Sequence, residues 1–163
     1  MDKRQSILVE AMEIELNGIE LYKSASEKTD DSQAREAFTF LSNEELKHYN
    51  TLKKIFDSIS KGNGFKIELP IFEVPSFDKI FSYDFRANLK GKNFEFSAIS
   101  TGMLLEKASI NFYRKQKENS ITEKEKELFE TLEKWEEEHL RILERDYNDI
   151  KEKFWTDNKF YPF

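Results

Sequence analysis

The sequence predicts an all-α fold: a four-helix bundle with a long crossover between its second and third helices. Three observations lead there. Apolar residues recur at helical spacing in four long stretches, each longer than an ordinary strand. The breakers Gly62, Gly64, Pro70, Pro75 and Gly91 gather between the second and third stretches, out of only five glycines and three prolines in the chain. Charged residues make up 36% and hydrophobic residues 38% of 163 residues, a balance that suits helices with one buried and one salt-laced face.

The first helix is expected over about 6–27, with Leu8, Ala11, Met12, Ile19, Tyr22 and Ala25 along one face. Thr29-Asp30-Asp31-Ser32 is a cluster of N-capping residues, and a second helix follows over about 33–59. Its inward face reads Ala34, Phe38, Leu41, Glu45, His48, Leu52 and Ile55. The third is expected over about 97–119. Ser120 with Glu123 reads as a capping box opening the fourth, which continues to about 154.

The stretch 60–96 holds seven phenylalanines between Phe65 and Phe96, too apolar for a free linker. A helix of about 25 residues is about 38 Å long, so this stretch can travel the length of the bundle. The third helix then starts at the same end as the second. The aromatic tail, 154–163, is expected to dock on the bundle or on a second subunit. One domain spanning 1–163 is the organisation that follows.

Composition excludes several classes. With no cysteine there is no disulfide, zinc ribbon, iron–sulfur cluster or thiol catalysis. A net charge of −6 with interspersed signs leaves no basic stripe for nucleic acid or anionic lipid. No apolar run is long enough to span a bilayer. Glu10, Glu13 and Glu15 would spoil a signal-peptide core, so a cytoplasmic protein is expected. Carboxylates outside the set named below are read as solubilising, with 123–138 mostly one solvated helix face.

An internal repeat isolates the chemistry. A shift of 91 residues carries Glu15 onto Glu106, Tyr22 onto Tyr113, Phe38 onto Phe129, Leu41 onto Leu132, Glu45 onto Glu136, His48 onto His139 and Leu52 onto Leu143, without a gap. Both histidines of the chain belong to this set, each three residues after a matched glutamate and on its apolar helix face. Four carboxylates and two imidazoles therefore converge at mid-height in the bundle. Unpaired buried carboxylates are costly, and four together also repel one another. Two divalent cations balance four ionised glutamates and leave neutral histidines as the remaining ligands. The metal ligands expected are Glu15, Glu45, His48, Glu106, Glu136 and His139. Tyr22 and Tyr113 are either core filler or hydrogen-bond donors to a ligating carboxylate.

These residues resemble the ligand pattern of ferritin-like di-iron carboxylate bundles, a Glu from each of two helices and Glu-x-x-His from each of two others. Within that superfamily the chain resembles the rubrerythrin branch, as a stand-alone domain without a rubredoxin. The matching stretches are Glu15-Leu16-Asn17-Gly18-Ile19-Glu20-Leu21-Tyr22 with Glu45-Leu46-Lys47-His48, and Glu106-Lys107-Ala108-Ser109-Ile110-Asn111-Phe112-Tyr113 with Glu136-Glu137-Glu138-His139. The resemblance covers about 6–57 and 97–147.

It implies Glu45 and Glu136 as bridging carboxylates, Glu15 and Glu106 as terminal ones, and one histidine for each metal. It also implies two iron ions as cofactor and two-electron reduction of hydrogen peroxide or dioxygen. Manganese suits the same ligands, and zinc can occupy such a site in isolated material. A homodimer is the assembly implied. Without a Cys₄ iron domain, electrons must come from a separate donor protein. Rubrerythrins tend to carry a further glutamate one turn after the third-helix ligand; here that position is Ser109, with Gly18 as its repeat counterpart. Ferroxidase and iron-storage activity, and a non-enzymatic metal-binding scaffold, are the competing readings.

Overall fold

The computed structural model describes residues 2–65, 69, 75 and 77–157. Among the described residues five helices account for the regular structure: α1 (Lys3–Lys28), α2 (Ser32–Ser60), α3 (Tyr83–Ala87), α4 (Asn93–Glu118) and α5 (Glu123–Asp157). The four long ones pack as two hairpins, α1 with α2 and α4 with α5, joined along α1 and α4. The all-α four-helix bundle expected from periodicity is the fold observed.

Local chemistry sets the helix ends. Asp2 and Gln5 form a reciprocal capping box at the start of α1, and the Asp31 side chain accepts the Ala34 N–H at the start of α2. Past the end of α2, Gly62 takes φ 75°, a left-handed conformation that lets its N–H and that of Asn63 satisfy the Ile59 and Ser58 carbonyls. The box opening α5 is shifted from its expected position. Glu125 N–H donates to Thr122 Oγ1, and the Glu125 carboxylate accepts the Ile121 and Thr122 N–H groups. Ser120 instead donates to the Gln116 carbonyl of α4. Two overlapping hydroxyl–acid pairs exist here, and the turn after α4 uses Ser120 to finish that helix.

The core falls into two apolar clusters. One gathers Tyr22, Ala34, Phe38, Leu41, Ile99, Leu143 and Ile150; the other gathers Leu8, Leu52, Ile55, Tyr113, Leu128, Phe129, Leu132 and Trp135. Each long helix contributes to both, with Glu15, Glu45, Glu106 or Glu136 between its two contributions. A polar layer therefore lies between two greasy ones.

The order of contacts fixes the topology. α2 and α4 both begin in the first cluster, so the connection travels the length of the bundle, as its composition predicts. Phe77, Ile80, Phe81, Phe85 and Leu89 of the connection join that cluster. Asp146 Oδ2 accepts the Phe81 N–H at 2.8 Å, and Gln33 Nε2 donates to the Lys79 carbonyl at 2.6 Å. The short α3, capped by Ser82, was not expected from the sequence; five residues carry too little periodicity to register. α4 also starts earlier than expected, without a side-chain cap. Of the tail, Phe154 stacks on Phe96 with centroids 3.9 Å apart, while 158–163 lie outside the described residues. Among the described residues, no helix is long and apolar enough to cross a membrane.

Candidate metal centre

The structure brings all six expected ligands together, each at most 2% exposed. They form two overlapping groups, Glu15–Glu45–His48–Glu136 and Glu45–Glu106–Glu136–His139, whose donor atoms within each group lie within 4.8 Å of one another. Glu45 and Glu136 belong to both, and their two oxygens divide between the halves. Glu45 Oε2 lies 3.2 Å from His48 Nδ1 and Oε1 lies 3.2 Å from His139 Nδ1. Glu136 Oε1 lies 3.1 Å from His48 Nδ1 and Oε2 lies 3.3 Å from His139 Nδ1. Glu15 Oε2, at 3.2 Å from His48 Nδ1, completes one half. Glu106 Oε1, at 3.9 Å from His139 Nδ1, completes the other. The geometry is that of two shared carboxylates and two terminal ones. The imidazole rings stack across the centre at 5.3 Å.

The two tyrosines cross between hairpins. Tyr22 of α1 donates to Glu106 of α4, and Tyr113 of α4 donates to Glu15 of α1. The sequence left these rings open between filler and donor; they are donors, each to the glutamate of the opposite half. Burial first, then the facing carboxylate, pushes both phenols well above their ordinary range, so they stay protonated. Two glycines supply the room. A Cβ at Gly102 would stand 3.2 Å from the Tyr22 hydroxyl, and one at Gly18 would stand 3.0 Å from the Glu45 carboxyl carbon.

Charge at the centre is balanced internally. Burial, then Glu136, holds Glu15 well above the ordinary carboxylate range; burial, then Glu45, does the same for Glu106. Burial also opposes ionisation of Glu45 and Glu136. For Glu45 the nearby imidazoles, His139 foremost, outweigh it and hold the carboxyl well below its usual range. Glu136 is lowered too, against burial and Glu45, by His48 and His139. Burial pulls the histidines down, but the carboxylates win: His48 is raised well above its ordinary value and His139 to about 9. Without cations the shifts run toward a neutral layer: Glu45 and Glu136 favour the ionised form, His48 and His139 the imidazolium, and Glu15 and Glu106 the protonated form.

The donor set fits hard or borderline divalent cations, with oxygen and imidazole nitrogen but no sulfur. Glu106 Oε2 is buried with no hydrogen-bond partner among the described residues. A pair of cations would satisfy that atom and take the place of the protons that otherwise neutralise the site.

Sequence reasoning went astray on other acids. Glu44, Glu95, Glu125, Glu133 and Asp146 are buried rather than solvated. Most have a cation within reach: Glu44 pairs with Lys47, Glu125 with Arg4, and Glu133 with Arg114 and Lys117. Glu95 accepts from Thr29, and Asp146 anchors the crossover. The face 123–138 is therefore less solvated than its charge suggests. Trp135 was also missed. Its indole stacks on His48 with centroids 4.8 Å apart and planes 10° apart.

A four-helix bundle with a buried Glu/His layer shared between two hairpins defines a ferritin-like metal-site protein. The family model described as Rubrerythrin matches residues 6–147, and the chain belongs to the rubrerythrin family. No curated protein and no solved structure gives a significant match.

Proposed function

We propose that the protein is a di-iron oxidoreductase that reduces hydrogen peroxide or dioxygen with electrons from a separate donor protein. The observation that carries this reading is the division of the Glu45 and Glu136 oxygens between the two histidines, which is what two adjacent cations require. Glu15 with His48 would hold one ion and Glu106 with His139 the other. A pair of ferrous ions supplies two electrons, so hydrogen peroxide with two protons yields two waters as the O–O bond breaks.

The chain's own groups set the conditions for that exchange. Tyr22 and Tyr113 fix the terminal carboxylates through their hydroxyl protons. The apolar layers above and below keep bulk water out, which strengthens every charge interaction inside. Glu45 and Glu136, with one oxygen toward each histidine, would be shared between the two ions. These 163 residues hold no cysteine for an iron–sulfur relay, and in this reading the donor's redox centre returns the two electrons after each turnover. We read the assembly as a homodimer, from the family.

Stopped-flow mixing of the diferrous protein with peroxide tests the reading. Oxidation much faster than that of free ferrous ion supports it; oxidation no faster overturns it.

A further inference from the structure

We infer that Trp135 is a positioning residue for the His48 half of the centre, setting the affinity of one of the two cation positions. The inference rests on the di-metal reading above and adds a residue that the ligand pattern does not contain.

Trp135 precedes Glu136 on α5, so the same turn supplies a shared ligand and the ring that backs a ligand from α2. The near-parallel indole covers one face of His48, and the His139 ring lies along the stack at 5.3 Å. An imidazole stacked against two rings cannot swing about its side-chain torsions without losing those contacts. Its Nδ1 is thereby kept facing Glu15, Glu45 and Glu136, with oxygens at 3.2, 3.2 and 3.1 Å. A donor held in place before binding loses little freedom when the cation arrives, and the saving appears as affinity.

The repeat makes the role one-sided. A shift of 91 residues relates Trp135 to Glu44, a buried carboxylate that pairs with Lys47 at 2.6 Å. The chain has departed from its internal symmetry here, at a position adjacent to a ligand in each half. Trp135 is 8% exposed and makes no hydrogen bond to the six ligating side chains, so its leverage on the centre is through ring contact.

Titration of the metal-free protein with Co²⁺, followed by its visible absorption and by the indole N–H signals in NMR, tests this. The chain has two tryptophans, and the spectrum of Trp135→Phe assigns them. In the wild type the Trp135 signal is expected to broaden with the cation that His48 holds and to be far less sensitive to the other. In Trp135→Leu one cation is expected to bind about tenfold more weakly with the other unchanged. Trp135→Phe, which keeps a ring, is expected to restore most of the loss. Equal weakening of both cations, or of neither, overturns the inference and leaves the di-metal reading standing, as does a Trp135 signal indifferent to Co²⁺. Failure of the wild type to bind Co²⁺ overturns both.

Discussion

The polar layer and the two apolar clusters beside it are equally dry but are held together by different physics. Leu41 and Leu132 in the clusters are 0% exposed, and so are Glu106 and His139 between them. The clusters gain from every apolar contact, whatever the solution contains. The layer gains only if its charges are balanced, by protons or by cations. One part of this core is therefore unconditional and the other conditional, and variants in each should respond differently to metal and to pH.

The largest difference is expected at Glu45 against its neighbour Glu44. Glu45→Ala removes a carboxylate shared by both halves and should abolish stoichiometric metal content. Glu44→Ala loses an ion pair with Lys47 and some stability but should keep its metal. Elemental analysis of both proteins, purified without chelator, reads the contrast; equal content would show that the register is wrong.

Next in size, Leu132→Ala in an apolar cluster should cost about 2–5 kcal/mol by denaturant unfolding, since a buried leucine leaves a cavity. The loss should be similar with and without bound metal, which separates the cluster from the layer.

Metal removal makes the layer's stability depend on pH, and the sign can be worked out. His139 keeps its proton to about 9 in the metal-free fold against an ordinary 6.5, and Glu15 and Glu106 keep theirs well above an ordinary 4.5. Across that window the folded chain binds more protons than the unfolded one, so stability falls as pH rises. Glu45 and Glu136 act oppositely, since their lowered values give stability that is present above 4.5 and lost as pH falls below it. Calorimetry of the metal-free protein should show Tm declining by several degrees between neutral pH and about 9. The metal-loaded protein should show a flatter profile, and parallel profiles would mean that the layer does not carry those protons.

Smallest is the loss of one tyrosine hydroxyl. Tyr113→Phe deletes the donor to Glu15 and should weaken one cation about tenfold by competition with a chelator. The apolar packing of its ring on Phe129 should be untouched. An unchanged affinity would make Tyr113 core filler after all.

Much of this contrast was legible in the sequence. The 91-residue repeat exposed Glu15, Glu45, His48, Glu106, Glu136 and His139 together, because a buried charged layer constrains both halves alike. The crossover was legible because its length allows a path along the bundle and its phenylalanines need a surface to cover them. What escaped depends on contacts between helices, which no single-helix pattern encodes. Trp135 reads as one more apolar residue until α2 is placed beside it. Asp146 reads as a solvent-facing acid until the Phe81 N–H arrives from the crossover. The capping box of α5 was misplaced because Ser120/Glu123 and Thr122/Glu125 both carry the hydroxyl–acid spacing, and only the turn decides between them.

The most direct test counts protons. Near neutral pH the metal-free layer keeps a proton on each of His48 and His139, and Glu15 and Glu106 hold theirs more tightly than ordinary carboxyls do; a cation-bound layer gives these protons up. Calorimetric titration with a divalent cation, repeated in buffers of different ionisation enthalpy, measures their release. Two cations per chain displacing at least the two imidazolium protons of His48 and His139 is the result expected. Binding without proton release, or no binding, would contradict the claim that cations and protons are alternative neutralisers of one buried carboxylate layer.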